Sequence, residues 1–257
     1  MSPRGRAGRG LGGDQIEGRR AVHELLEARR RQVRDVWIVE GAEPSSVLEG
    51  IVALAGSRRV PVRWMSRRQM EQEAGTDSPQ GVLAHAEPLP EADLDQLARG
   101  TPGRPGPPFL VVLEGVTDPH NVGAVIRSAE CAGATGVVLA RHHAVSVTPT
   151  VAKAAAGAIE HLPIAMVPGI PGALAALARA GVWTVGLDAD ARTPLFGLEL
   201  ADGPLALVLG AEDRGLSRLA RARCDLLVAI PHRGALTSLN VSAAAAVACY
   251  EVARRRS

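Results

Sequence analysis

Six short apolar runs organise the second half of the chain, at 109–113, 137–140, 162–167, 182–187, 205–209 and 226–230. None alternates apolar with polar residues, so each suits a strand covered on both faces. Helical segments fill most of the gaps, at 122–132, 149–159, 171–180 and a long final one at 239–256. Such alternation predicts a mainly parallel sheet with helices on both faces and a ligand site where the strand C-termini meet their loops.

The first third repeats the alternation on a smaller scale. A helix is expected through Ala21, Val22, Leu25 and Leu26, a strand at 36–39, a helix after Pro44 with Ser46 and Glu49 as its capping box, and a strand at 60–64. Ser66 and Gln69 form a second capping pattern, and the run 81–84 closes a small α/β domain. Between Glu87 and Pro108 lie six prolines and three glycines, the composition of an interdomain linker. The boundaries read as a disordered basic tail at 1–13, a small domain at 14–87, a linker at 88–107 and the larger domain at 108–257. The tail, with Arg4, Arg6 and Arg9 among glycines, is either a frayed terminus or a salt-sensitive RNA contact.

Charge excludes little, because 29 basic and 27 acidic side chains leave a net +2. Any basic surface is local. Cys131, Cys224 and Cys249 are far apart and form no CxxC pair, which gives neither a disulfide framework nor a zinc site and fits a reducing cytoplasm. The uncharged stretches 162–178 and 234–250 contain prolines or hydroxyl and amide residues and do not read as membrane spans. Lys153, the only lysine, is not in a P-loop, and GxGxxG, HExxH and GxSxG are absent. His142 and His143 read as solvated loop residues.

Three loops remain, each after an expected strand. The first, Asp118-Pro119-His120-Asn121-Val122-Gly123-Ala124-Val125-Ile126-Arg127, offers Asp118 or Asn121 as a helix cap, with Gly123 and Ala129 as small surfaces for close approach. Next comes Leu209-Gly210-Ala211-Glu212-Asp213-Arg214-Gly215, two glycines around a charged turn. The third runs from Ile230-Pro231-His232-Arg233-Gly234 to Ser238-Leu239-Asn240-Val241-Ser242 and enters an alanine-rich helix. An N-cap accounts for one of Ser238, Asn240 and Ser242, not for all three.

Together these loops resemble, in order and placement, the three motifs of the SpoU/TrmH-type RNA ribose 2'-O-methyltransferases of the SPOUT superfamily. The resemblance covers roughly 109–254. Gly18-Arg19-Arg20-Ala21-Val22 and Gln80-Gly81-Val82-Leu83-Ala84 are similar to the small substrate-binding domain of the branch acting on guanosine in 23S ribosomal RNA. Ala211 stands where serine is common, His232 where methionine is usual and Asp213-Arg214 where glycine often appears, while Thr237 occupies a position that is often acidic and is left out of the site.

The resemblance implies an α/β fold whose C-terminal domain carries a deep trefoil knot, with a ribosomal protein L30e/L7Ae-like domain at the N-terminus. It also implies a homodimer, S-adenosylmethionine as cofactor, RNA as substrate and no metal. By motif position Leu187, Leu209, Gly210, Ile230, Ser238 and Leu239 line the cofactor pocket. Arg127 takes the role of activating the ribose hydroxyl, with Asn121, Glu212, Ser238 and Asn240 organising phosphate, ribose and cofactor. A guanidinium stays protonated, so a second assignment has Arg127 clamping the adjacent phosphate and polarising the hydroxyl while Glu212 or a phosphate oxygen takes the proton. With aromatics at 2%, arginine contacts and RNA shape are the expected readout, and Arg58, Arg59, Arg63, Arg67 and Arg68 are either RNA contacts or a solvated face. The alternatives are a transfer RNA 2'-O-methyltransferase and an inactive knotted RNA-binding or ribosome-assembly factor.

Overall fold

The computed structural model describes residues 11–141, 146–235 and 238–257. Most of the expected basic tail, His142, His143 and Thr237 lie outside the described residues. Leu11 to Gly13 do not continue that tail, because Leu11 is buried and Gly12 bridges Val147 in parallel.

The small domain is a four-stranded sheet of order β1-β4-β2-β3. Its elements are β1 (Gln15–Glu17), α1 (Arg19–Ala28), β2 (Val33–Val39), α2 (Ser46–Ser57), β3 (Val62–Met65), α3 (Arg67–Glu73) and β4 (Val82–Ala86). Helix α1 buries Ala21, Val22, Leu25 and Leu26, the spacing read from the sequence. The cap of α2 is Ser45, not Ser46, because the Ser45 side chain accepts from Leu48 N. Ser66 and Gln69 do form the reciprocal capping box of α3.

Residues 88–107, read as a linker, contain helix α4 (Leu94–Arg99), whose Leu97 and Ala98 are buried in the core of the larger domain. Glu91 bridges Ile164 in parallel. Arg104 donates to the carbonyls of Ala134 and His161 at 2.6 and 3.0 Å. The proline-rich segment is thus docked along its length.

The larger domain holds β5 (Phe109–Leu113), α5 (Pro119–Cys131), β6 (Gly136–Ala140), α6 (Pro149–Ala154), β7 (Ile164–Val167), α7 (Ile170–Arg179) and β8 (Trp183–Leu187). It continues with β9 (Thr193–Pro194), β10 (Leu205–Leu209), α8 (Arg218–Arg221), β11 (Leu226–Ala229) and α9 (Val241–Arg256). The seven strands follow the order β7-β6-β5-β10-β8-β11-β9, and all six pairings are parallel. Strands β5 and β10 are buried at every residue, as their unbroken apolar runs require. Helices α5 and α9 pack on each other, with Ala129, Ala245 and Ala248 fully buried. Placing β10 between β5 and β8 brings the loops after all three to one end of the sheet.

The two domains share one continuous core, which includes Ile16, Val22 and Leu89 with Phe109, Ile126 and Ile159. A buried ion pair crosses the junction: Arg31 Nε and Nη2 reach the two oxygens of Glu160 at 3.0 and 2.5 Å, with side chains 3% and 1% exposed. Arg30 adds hydrogen bonds to the carbonyls of Ile159 and Leu162, both at 3.2 Å.

Candidate active site

Asp118 caps α5, accepting from His120 N and Asn121 N at 2.7 and 3.1 Å, and so settles which of the two candidates holds the helix. Asn121 is thereby freed for longer-range contacts. Asn240 caps α9 through Oδ1, which accepts from Ser242 N at 2.9 Å and from Ser242 Oγ at 2.6 Å. Its amide nitrogen donates to Asn121 Oδ1 at 3.1 Å and also to Glu212 Oε1. Asn121 Nδ2 donates to the same Glu212 oxygen at 3.1 Å, and Val241 N at 3.2 Å. Three loops far apart in sequence close into one hydrogen-bonded ring. Oε1 of Glu212 takes every one of these donors and sits at the N-terminus of α9, where the helix dipole favours a carboxylate. Oε2 accepts from no described residue.

Beside this ring lies a cleft of 270 Å³ at the C-terminal ends of β8, β10 and β11. Leu187, Leu209, Gly210, Ile230, Ser238 and Leu239, the residues expected around a cofactor, all line it, as does Glu212. Asn240 holds the ring next to the wall formed by Val241. Gly210 is fixed by space: a Cβ there would stand 2.1 Å from Gly215 C and 2.3 Å from Leu216 N, both backbone atoms. The strand end and the returning turn touch through Gly210.

Sequence reasoning missed Asp188, Asp190 and Arg221, which also line the cleft, as does His232 of the third loop. Asp188 Oδ2 pairs with Arg221 at 2.8 Å, and its other oxygen accepts from Asp190 N at 2.9 Å, so this carboxylate shapes the loop after β8. The available signal was position alone: Asp188 directly follows a predicted strand.

Arg127 is not part of this cleft. It is exposed on α5, on the face opposite Val122, Val125, Ile126 and Ala129, and lines a separate crevice with Arg20 and His161. Of the expected site residues, Asn121, Glu212 and Asn240 come together while Arg127 lies outside the cleft of its own chain, because the α5 face that carries it turns toward the small domain.

In the small domain Arg58 donates to Glu27 O at 3.2 Å and Arg63 faces Asp35 at 3.6 Å, while Arg59, Arg67 and Arg68 are exposed. Trp64 on the edge strand β3 is 54% exposed beside them, an indole that the low aromatic content did not foreshadow.

A mainly apolar cleft with carboxylates at its rim, at the strand ends of an open parallel sheet, lies where proteins of this architecture bind their ligands. Comparison with known proteins defines the class further. Residues 108–250 match the SpoU rRNA Methylase family, and residues 15–100 match the RNA 2'-O ribose methyltransferase substrate binding domain. The chain belongs to the SpoU rRNA methylase family and is an RNA methyltransferase whose cofactor is S-adenosylmethionine. It is 39% identical to the 23S rRNA (guanosine-2'-O-)-methyltransferase RlmB of Pseudomonas putida, over 95% of this chain and 97% of that one. The protein of that name from Ralstonia nicotianae is 41% identical over 93% of this chain and 90% of its own. Among solved structures, the SpoU methyltransferase AviRb from Streptomyces viridochromogenes in complex with AdoMet superposes with a TM-score of 0.76 at 28% identity, covering 94% of this chain and 90% of that one. No helix among the described residues is long and apolar enough to cross a membrane.

Proposed function

We propose that the protein methylates the ribose 2'-hydroxyl of a guanosine in 23S ribosomal RNA, as a cytoplasmic homodimer in which Arg127 of one subunit serves the cofactor cleft of the other. Convergence of Asn121, Glu212 and Asn240 beside a cleft lined by Leu187, Leu209, Gly210, Ile230, Ser238 and Leu239 carries this reading. S-adenosylmethionine, when bound, supplies an electrophilic methyl group. The chain's own residues must then bring a ribose hydroxyl into line and draw off its proton. Arg127 polarises the hydroxyl and clamps the neighbouring phosphate, because a guanidinium donates but does not accept. Glu212, with Oε1 saturated and Oε2 taking no donor among the described residues, is the proton acceptor, and Asn121 and Asn240 hold it in place. Ser238 closes the cofactor side. A trefoil knot formed by the loops after β10 and β11, and pairing of two such domains, belong to the same reading. It is supported by the separation of Arg127 from its own chain's cleft.

Tritium transfer from S-adenosylmethionine to unmodified 23S ribosomal RNA, with cofactor affinity read by calorimetry, tests the activity. Arg127→Ala is expected to lower transfer by about a hundredfold or more with little change in cofactor affinity. Mixing Arg127→Ala chains with Asn240→Ala chains tests the subunit arrangement. Recovered transfer in the mixture places Arg127 in the partner's site, and a dead mixture rejects that arrangement. Cofactor binding without transfer to any ribose rejects the enzyme reading.

A further inference from the structure

The crevice that holds Arg127 has a second wall made by the small domain. Arg20 and Glu24 of α1 face Arg127, Glu130 and Cys131 of α5 across a space of 330 Å³, closed at one end by the turn 155–161. The walls are in fixed register. Gly157 at φ +90° lies so close to α1 that a Cβ would stand 2.4 Å from Glu24 Cβ, and the Arg31–Glu160 pair locks the same junction.

Its charges are unevenly satisfied. Glu24 accepts from His161 Nε2 at 2.8 Å and lies 3.5 Å from His23 Nδ1. Glu130 lies 3.5 Å from Arg104. Both carboxylates therefore have basic neighbours, whereas Arg20 and Arg127 are exposed and make no hydrogen bond or ion pair among the described residues. Two uncommitted guanidinium groups in one rigid crevice form a seat for anionic groups, and their forked donors match phosphodiester oxygens.

We propose that Arg20 is a positioning residue for the methyl acceptor: the RNA backbone enters the crevice between the domains, with one phosphodiester on Arg20 and a neighbouring one on Arg127. The small domain thereby supplies a side chain to the acceptor end of the active site. This rests on the reading of RNA as the substrate, and it assigns Arg20 a role in substrate alignment, not in the transfer step.

Cys131 is exposed on the crevice wall, while burial pushes the Cys249 thiol up to about 12, and burial together with Asp225 does the same for Cys224. Alkylation of the native full chain thus reports on Cys131. Unmodified 23S ribosomal RNA transcript is expected to slow this alkylation several-fold. Arg20→Ala is expected to raise KM for that transcript about tenfold with kcat within about twofold. Cofactor affinity should not move, and the slope of log affinity against log salt should shrink by about 0.7, the loss of one phosphate contact. Arg20→Lys should keep most of that slope, which a merely structural role would not predict. A wild-type slope and KM in Arg20→Ala, or Cys131 alkylation indifferent to RNA, overturns the proposal. Failure of the wild-type chain to transfer methyl groups while protection and slope persist overturns the enzymatic reading and leaves the crevice assignment standing.

Discussion

Gly210 allows a direct test at the level of single residues. Its missing side chain is required by backbone atoms of Gly215 and Leu216, which cannot swing away as a side-chain tip would. Gly210→Ala must therefore displace the turn 211–216, and cofactor affinity measured by calorimetry should fall by tenfold or more, with the circular dichroism of the sheet retained. The strand leading to Gly210 was visible from composition, as were the three polar loops. What no local pattern showed was that Asn121, Glu212 and Asn240 meet, since each also passes as a helix cap or an ordinary turn. Asp188 and Arg221 escaped notice for the same reason: their pairing spans α8 and the loop after β8 and leaves no spacing signature.

Among the elements, α9 shows how a terminal helix is fastened. The arginines in its last turn make specific bonds. Arg256 donates to the carbonyls of Ala201, Pro107, Pro108 and Gly203 and stacks over Phe109 at 5.3 Å from the ring centre. Glu251, 5% exposed, is held by Arg254 at 2.9 Å and accepts from Gly197 N at 2.9 Å. Arg254 and the Gly197 amide keep this carboxyl below its ordinary range against the opposing effect of burial. A lowered native value adds stability that is complete above the usual carboxylate range and disappears as acid titrates the native group. Glu251→Gln should cost about 1–3 kcal/mol at neutral pH in urea unfolding and flatten the loss of stability on acidification. Periodicity located the helices because their buried faces repeat. It misassigned the α2 cap by one residue because two adjacent serines carry identical chemistry.

For the molecule as a whole, the junction between the domains is part of one shared core and carries a buried ion pair. Prolines at 88–108 read as a spacer because their local stiffness was legible, whereas the surface awaiting Leu89, Leu97 and Ala98 was not. Glu160→Gln should leave the Arg31 charge buried without its partner and lower stability by about 3–5 kcal/mol. Denaturant titration should then show whether the transition remains single, as a shared core requires, and replacing both residues by apolar ones of similar volume should recover most of the loss.

The strand order has a consequence during synthesis. Phe109 is made early, yet its neighbour on one side, Leu205, leaves the ribosome only after four other strands of the same sheet have appeared. Until then β5 presents a bare apolar edge in the nascent chain, so the sheet of the larger domain cannot be completed before β10 is made, and slowing translation ahead of residue 205 should lengthen its exposure to chaperones.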